Sequence, residues 1–322
     1  MIHCTSMASK KRFLSGVKPT GHPHVGNYFG AMKQFVDLLK TGEYEPMVFV
    51  ADYHGLNFIQ NGKEMRSLIL DLVKDYIAIG LDPAQVLLYK QSDVSEHTEL
   101  AWIFDTITTM PYLMRGHAYK DAEAKGKEVS VGTFNYPMLM AADILLYDPD
   151  VVPVGQDQKQ HVEYARDTAE KFNRIFGEVF KLPTDMILPS VAVVPGVDGR
   201  KMSKSYGNTI PLFGTKDEIA KAVMSIVTDS SGERPEHVYA IHKLYRPETE
   251  LAPIYESHKG KYKTLKDMLI EDIDAVAAPM REKRTSITDN DVQQVLKDGG
   301  EKAKALASVK MAEVRQKIGV SL

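Results

Sequence analysis

Two lysines lie close together in a glycine-flanked segment past the middle of the chain. Lys201 and Lys204 are three residues apart in the string KMSKS, with glycines at positions 196, 199 and 207. Ammonium groups on a mobile loop can stabilise the charge that develops on pyrophosphate when a polyphosphate is split at its α-phosphorus. A lysine-serine string alone is more often a solvated surface loop. The pair therefore indicates phosphate chemistry only with support from a second motif.

A second polar string, TGHPHVGN at residues 20–27, lies between a short apolar run and a helical pattern. Glycines let the backbone approach a ligand, and the N-terminus of a helix offers N–H groups and a positive dipole end to phosphates. His24 and Asn27 can donate to phosphate oxygens. The alternative is an ordinary turn between strand and helix with incidental polar residues.

Apolar periodicity predicts the elements that position these motifs. Short buried strands alternate with amphipathic helices: strands at 12–17, 47–50, 86–89 and 151–154, and helices through 29–39, 65–79, 137–147 and 158–176. This alternation predicts an α/β fold, a doubly wound parallel-sheet nucleotide-binding domain whose ligands lie beyond the strand ends. Helical patterns at 216–227, 264–278 and 291–318 predict a mainly helical C-terminal domain. We expect a flexible leader at 1–11, a catalytic domain at 12–213 and a helical domain at 214–322, whose last helix can pack back on the catalytic domain.

Composition limits the function classes. Lys and Arg total 40 against 43 Asp and Glu, so the surface is not uniformly basic and any RNA contact must be local. Cys4 is the single cysteine, which excludes a disulfide framework and a cysteine zinc cluster. No run approaches the roughly 18 apolar residues of a membrane span. We therefore expect a cytoplasmic protein. Its aromatic residues, Trp102 included, are expected in the core.

Read together, the two polar motifs resemble the paired signatures of the class I aminoacyl-tRNA synthetases. HVGN at 24–27 is similar to the HIGH signature, and KMSKS at 201–205 is the second signature. Asn27 stands where HIGH has its second histidine, and it can donate a hydrogen bond but cannot carry a proton. The resemblance implies that Mg²⁺ and ATP activate an amino acid to its adenylate, which is then transferred to the terminal ribose of tRNA. It implies catalytic roles for His24, Asn27, Lys201 and Lys204, and no metal ligands of the protein's own. The ATP-binding residues that it implies are Lys18, Pro19, Thr20, Gly26, Asn27, Gly155, Gln156, Asp157, Val194, Lys201, Met202, Ser203, Lys204 and Ser205.

A third constellation bears on which amino acid is bound. Tyr136, Met140, Asp143 and Tyr147 share one face of the helix predicted at 137–147, and Asp143 is the only charge in that run. A carboxylate buried among apolar neighbours needs a donor, for which a ligand N–H or O–H is suitable. The alternative is an aspartate at an exposed helix position.

This run, and residues 151–161 after it, resemble tryptophanyl-tRNA synthetases. The resemblance implies that Asp143 accepts the indole N–H of L-tryptophan, that Met140, Val152 and Val154 flank the ring, and that Tyr136 and Gln158 hold the amino group. His54 falls at a pocket position of the family but can equally be a core histidine. Gln156 replaces a common glutamate, which leaves its role open, and no one lysine among Lys120, Lys125 and Lys127 is assigned to ATP. The resemblance further implies tRNA(Trp) as partner and a homodimer.

Two other functions remain open at this stage. A tyrosine-specific synthetase could also use Asp143, because a carboxylate accepts a phenol O–H as well as an indole N–H. A synthetase-like protein could bind tRNA or nucleotide without aminoacylation, although the complete lysine motif and the long helical region favour an enzyme.

Overall fold

One parallel sheet forms the centre of the chain. In a computed structural model, which describes residues 10–116, 119–120, 123, 128–154, 159–187, 193–228 and 234–321, the strands are β1 (Lys11–Val17), β2 (Tyr44–Val50), β3 (Leu87–Lys90), β4 (Val151–Val154) and β5 (Thr184–Ile187). Their order in the sheet is β3-β2-β1-β4-β5, and every pairing is parallel. The predicted doubly wound α/β fold is confirmed. β5 was not predicted, because its sequence TDMI is short and half polar.

Helices cover the sheet and continue into the C-terminal region. Within the described residues they are α1 (Val25–Asn27), α2 (Lys33–Lys40), α3 (Asp52–Gly55), α4 (Gly62–Ala78), α5 (Glu96–Ile107), α6 (Met110–Leu113), α7 (Val131–Leu145), α8 (Lys159–Phe176), α9 (Lys216–Met224), α10 (Glu236–His242), α11 (Glu248–Ser257), α12 (Tyr262–Ser286) and α13 (Asp289–Lys317). A π-helical stretch, Tyr28–Met32, joins α1 to α2. The mainly helical C-terminal region is confirmed. No helix of the described ranges is long and apolar enough to cross a membrane.

Both faces of the sheet are buried, which explains the continuous apolar runs of its strands. Successive strand residues point to opposite faces: Leu14 and Met47 pack with α5, α7 and α8, whereas Phe13 and Val48 pack with α2 and α4. The two cores hold the sheet rigidly, so the strand ends are fixed in position.

The last helix, α13, packs against the catalytic sheet. Gly299 touches β3 so closely that an added Cβ would lie 1.8 Å from the carbonyl oxygen of Leu88. Beyond it, Ala303, Ala307 and Met311 enter the core on the Leu14 face. Small residues on α13 thus allow backbone contact between the C-terminus and the sheet.

Trp102 is not in the core, contrary to expectation, and 70% of it is exposed. The buried face of α5 is formed by His97, Leu100, Ala101 and Phe104. At 3.6 residues per turn this spacing directs position 102 outward. Helical phase therefore decides its exposure and overrides the general tendency of tryptophan to be buried.

Candidate active site

The sheet order defines a crevice between β1 and β4. The order in which successive strands join the sheet reverses there: β2 and β3 lie on one side of β1, and β4 and β5 lie on the other. In open parallel sheets, ligands bind beyond the carboxyl ends of the strands at such a switch point. The loop after β1 carries the segment 18–24, and residues 155–158 follow β4. The candidate site is built around this switch point.

An amino-acid-sized cavity of about 300 Å³ lies at the crevice. Apolar walls come from Leu14, Phe49, Met140, Ile144 and Val152, and Gly16 has the Phe49 ring against it. Its polar lining includes Asp143, His54, Tyr136, Ser15 and Lys18. A mostly apolar cavity with a few convergent polar groups is typical of a small-molecule site.

Asp143 is buried and bonded to three side chains. It is 1% exposed, which excludes the exposed-aspartate alternative. Its Oδ1 accepts from Gln91 Nε2 and contacts His97 Nδ1, both at 2.7 Å, and its Oδ2 lies 2.9 Å from His54 Nε2. His97 Nε2 lies 3.0 Å from the hydroxyl of Tyr147. Because a carboxylate only accepts, His97 donates from Nδ1 to Asp143, while its Nε2 faces the Tyr147 hydroxyl.

This network keeps Asp143 ionised. Burial alone raises the pKa of the carboxyl group, but the hydrogen bonds from His54 and His97 outweigh burial and lower the pKa to about 2. A carboxylate accepts about four hydrogen bonds, two on each oxygen. Oδ1 takes two from the protein and Oδ2 takes one, so Oδ2 is the atom that can accept another from a ligand.

Tyr136 stands at the cavity wall beside His54, with the two rings edge to face at 6.1 Å between centroids. Its hydroxyl lies 2.6 Å from His161 Nε2, on α8. Burial raises the pKa of Tyr136, which keeps the phenol protonated at neutral pH. The hydroxyl is therefore held at a defined position by α8.

His24 and Asn27 cap the short helix α1 reciprocally. The backbone N–H of Asn27 donates to His24 Nδ1, and the backbone N–H of His24 donates to Asn27 Oδ1, both over 3.2 Å. These bonds leave the Nε2 side of His24 and the NH₂ group of Asn27 for a ligand. Burial and the nearby Lys204 lower the pKa of His24 to about 4, so the imidazole is neutral at pH 7 and donates through Nε2–H.

The KMSKS segment is anchored against the same helix. Met202 is buried, its Sδ accepts from the backbone N–H of Gly26 over 3.3 Å, and its own N–H donates to Val194 O. A Cβ at position 26 would lie 3.2 Å from that of Met202. Asn208 fixes the segment from the other side, because its Oδ1 accepts from Ser203 N and its Nδ2 donates to Lys201 O. The two sequence motifs thus pack as one unit.

The two lysines of the segment have different surroundings. Lys204 Nζ donates to the carbonyl oxygens of Thr20 and Gly21, both over 2.9 Å, and burial lowers its pKa. Gly21 has φ +84°, a left-handed conformation that suits glycine. Both Lys201 and Lys204 are exposed, so Lys204 is only partly covered by the loop that it contacts. Ser203 and Ser205 bond to each other over 2.9 Å.

Several predicted site residues lie outside the described residues: Gly155, Gln156, Asp157, Gln158, Lys125 and Lys127. Val154 is the last residue of β4, and only its backbone is among the described parts of the chain. Lys120 lies within the described residues, and its backbone N–H donates to Gly116 O. Pro19 packs near Gly55, where an added Cβ would lie 3.4 Å from Pro19 Cγ.

Sequence reasoning missed Gln91, His97 and His161. Gln91 directly follows β3 and is completely buried. A polar residue just after a buried parallel strand is the signal that could have identified it. His97 and His161 contact site residues 46 and 25 positions away, so no local spacing pointed to them.

This chain is similar to known tRNA synthetases over nearly its whole length. The family model described as tRNA synthetases class I (W and Y) matches residues 7–302. The tryptophan--tRNA ligase of Fusobacterium nucleatum is 45% identical over 96% of this chain and 98% of its own length, and that of Rhodopirellula baltica is 42% identical over 96% and 99%. The crystal structure of tryptophanyl-tRNA synthetase from Campylobacter jejuni complexed with ADP and tryptophan is 40% identical, has a TM-score of 0.89 and covers 96% of this chain and 99% of that one.

A tyrosyl-tRNA synthetase from Archaeoglobus fulgidus, 21% identical with a TM-score of 0.66, shares the fold. The family match and the near-complete relatives extend over both signature motifs, the cavity and the helical region. This chain belongs to the class I tRNA synthetases of the tryptophan and tyrosine group.

Proposed function

We propose that this chain is a tryptophan--tRNA ligase. It activates L-tryptophan with ATP to tryptophanyl-adenylate and transfers the tryptophanyl group to tRNA(Trp), releasing AMP and pyrophosphate. The observation that carries the proposal is the ionised Asp143 in an apolar cavity adjoining the packed HVGN and KMSKS motifs. The full-length tryptophan-specific relatives support it.

Amino-acid selection follows from the cavity. Phe49, Met140, Ile144 and Val152 offer apolar walls to an indole ring. Asp143 Oδ2 accepts the indole N–H, an interaction worth about 1.5–3 kcal/mol when the acceptor is charged. By the family resemblance, Tyr136 and Gln158 hold the amino group, and Val154 joins the residues that flank the ring.

Activation is an in-line displacement at phosphorus. A carboxylate oxygen of tryptophan attacks the α-phosphorus of ATP, the bond to the bridging oxygen breaks, and pyrophosphate leaves with the electron pair. Mg²⁺ enters as part of the nucleotide substrate. His24 Nε2–H and the Asn27 NH₂ group donate to phosphate oxygens, while Lys201 and Lys204 stabilise the departing pyrophosphate. Lys18, Pro19, Thr20, Gly26, Gly155, Asp157, Val194, Met202, Ser203 and Ser205 form the remaining nucleotide contacts.

Transfer needs no enzyme nucleophile. A hydroxyl of the terminal ribose of tRNA attacks the carbonyl carbon of the adenylate, its proton leaves, and AMP departs. The helical region, 214–322, reads the anticodon while 12–213 carries the chemistry. We assign the reaction to the cytoplasm.

The functional unit is a homodimer. Met110, Met114, Val131 and Phe134 line an open groove, in which Val131 is 81% exposed. Trp102 projects from the neighbouring α5. Exposed apolar groups in this concentration favour burial against a second copy of the chain.

Parallel ATP–pyrophosphate exchange with tryptophan and tyrosine tests activation and specificity together. We expect exchange with tryptophan and little with tyrosine, because a phenol does not fill an indole-sized cavity. Preference for tyrosine would favour the tyrosine-specific alternative. Aminoacylation of tRNA(Trp) is the second measurement, and exchange without aminoacylation would contradict the ligase proposal.

A further inference from the structure

A cluster of charged side chains lies next to the loop at residues 20–24, which we call the nucleotide loop, and outside the catalytic groups described above. Asp75 is buried, Arg284 and Asp71 are partly exposed, and His22 is exposed. Arg284, in the last turns of α12, donates from Nε to Asp75 Oδ1 over 2.5 Å and from Nη2 to Asp71 Oδ1 over 2.6 Å. Both carboxylates belong to α4. The guanidinium therefore joins the C-terminal helical region to the catalytic domain across 209 and 213 residues of sequence.

The contacts of Arg284 extend to the nucleotide loop itself. His22 Nδ1 lies 3.4 Å from Arg284 Nη2 and 3.8 Å from Asp75 Oδ2. The guanidinium also lies over the ring of Phe213, 5.6 Å from its centroid. The next residue back, Leu212, donates its N–H to Pro23 O. We call Arg284, Asp71, Asp75 and His22 the Arg284 brace.

Burying the Asp75 carboxylate costs desolvation free energy that packing alone does not explain. Its side chain is 1% exposed, burial raises its pKa despite Arg284, and its Oδ2 has no hydrogen-bond partner among the described residues. Replacing a buried ion pair by apolar residues is often neutral or stabilising, so stability is a weak explanation for it. In some proteins a buried ion pair instead specifies geometry, because each partner must stay where the other is.

The brace and Lys204 hold the same short loop from two sides. Lys204 bonds the carbonyl oxygens of Thr20 and Gly21, and His22 follows them directly. Asp75 also acts electrostatically on Lys204, raising its pKa against the larger effect of burial. A shift of Arg284 would therefore displace both the backbone of the nucleotide loop and the ammonium group above it.

We propose that Arg284 is a positioning residue for adenylate formation. Through Asp71, Asp75 and His22 it fixes the loop at residues 20–24 relative to Lys204, so that loop and lysine meet the triphosphate together. The C-terminal helical region thereby sets the geometry of the chemical step. This inference rests on the proposed function.

Single-turnover adenylate formation tests the brace in the full-length protein. In Arg284→Gln we expect the rate at saturating ATP to fall by about 10- to 100-fold, the range for a small misplacement of reacting groups. Tryptophan binding should be unchanged, because the brace does not touch the cavity. Arg284→Lys should be intermediate, since an ammonium group cannot bridge two carboxylates as a guanidinium does.

The matched control is Arg281→Gln. Arg281 lies one turn earlier on α12, where it donates to Asp274 over 2.8 Å and to the carbonyl oxygen of Gly214. These contacts join α12 to residue 214 and not to Asp71, Asp75 or His22. The variant should retain the wild-type rate. An equal loss in both variants would overturn the proposal, because it would reveal a general effect of weakening α12.

Arg284→Gln leaves Asp75 buried without its cation and can fail to fold. The double variant Arg284→Gln/Asp75→Asn removes both charges. If this variant folds and forms adenylate slowly with normal tryptophan binding, the positioning role is supported. Wild-type rates would overturn it. If the double variant does not fold, Arg284→Lys replaces it in the test: slow adenylate formation with normal tryptophan binding supports the positioning role, and the wild-type rate overturns it. Absence of exchange in the wild-type protein would instead remove the proposed function.

Discussion

Asp143→Asn is the substitution that separates substrate recognition from folding at the amino-acid cavity. The sequence alone suggests Asp143→Ala, with a loss of roughly 10- to 100-fold in tryptophan activation. The structure shows what that truncation removes besides the ligand contact: the acceptor for Gln91, His97 and His54. Each buried donor left without a partner costs about 1–3 kcal/mol, so three of them together cost about 3–9 kcal/mol, a large share of the 5–15 kcal/mol of a typical domain. Alanine therefore tests stability and recognition together.

Asparagine keeps the shape and most of the network. Its carboxamide oxygen can still accept from Gln91 and His97, and its NH₂ group can donate to His54 once that imidazole changes tautomer. The NH₂ group then meets the indole N–H, so two donors face each other where an acceptor stood. Loss of a hydrogen bond to a charged acceptor, about 1.5–3 kcal/mol, corresponds to a fall of about 10- to 150-fold in kcat/KM for tryptophan.

The assay compares tryptophan with an analogue in which sulfur replaces the indole N–H. Wild-type protein should discriminate against the analogue in ATP–pyrophosphate exchange, and Asp143→Asn should discriminate little. Asp105→Asn is the matched control, because Asp105 accepts a hydrogen bond from Asn135 over 2.7 Å and does not line the cavity. An equal loss for both amino acids in a folded Asp143→Asn protein would refute the acceptor role.

Three further predictions follow from the site and the surface. Lys204→Ala, and to a smaller extent Lys201→Ala, should slow adenylate formation by about 10²–10³ with ATP binding nearly normal, as measured in pre-steady state; a loss confined to ATP affinity would contradict a transition-state role. The pKa of His24 in the folded protein is about 4, below the ordinary value of 6.5. The free energy of unfolding should therefore be constant above pH 6.5 and fall by about 2–4 kcal/mol as the pH drops to 4. Urea unfolding should show this extra loss in the wild-type protein relative to His24→Asn, and identical pH profiles for the two proteins would count against it. Val131→Glu should shift a sedimenting dimer to monomer, whereas Val309→Glu, at a 74% exposed position of α13, should not; a monomeric, fully active wild-type protein would disprove the dimer.

The fold could be predicted because its signals are local. Runs such as 12–17 and 47–50 are apolar on both faces, and the helices between them are amphipathic. Errors occurred where local signals are weak, as at β5, or where a general tendency competes with helical phase, as at Trp102. The predicted α7 began at Pro137, but the helix starts six residues earlier, because Ser130 caps it by accepting from Thr133 N.

The candidate site could be predicted only as far as its motifs extend. His24, Asn27, Lys204 and Asp143 were proposed as site residues from contiguous strings. Gln91, His97 and Arg284 were not, because each acts through a partner at least 46 residues away and has ordinary neighbours in sequence. Hydrogen-bond networks of this kind exist only once the sheet and helices have brought distant segments together, and no spacing rule encodes them.

The anchoring of the KMSKS segment restricts how it can act on ATP. Met202 and Asn208 are 3% and 2% exposed, and both are bonded to neighbouring backbone or side chains. A loop fixed at two buried points cannot close as a whole over a nucleotide. The exposed stretch between them, residues 203–207, ends at Gly207 with φ +64° and can change conformation on its own. Lys204, within that stretch, rests on the carbonyl oxygens of Thr20 and Gly21 and must exchange them for phosphate oxygens. Lys204 exchanges neutral carbonyl acceptors for charged phosphate oxygens, so its electrostatic stabilisation is greatest when the pyrophosphate carries the most charge. That charge is greatest in the transition state and after it, so Lys204 should affect the rate more than ATP binding.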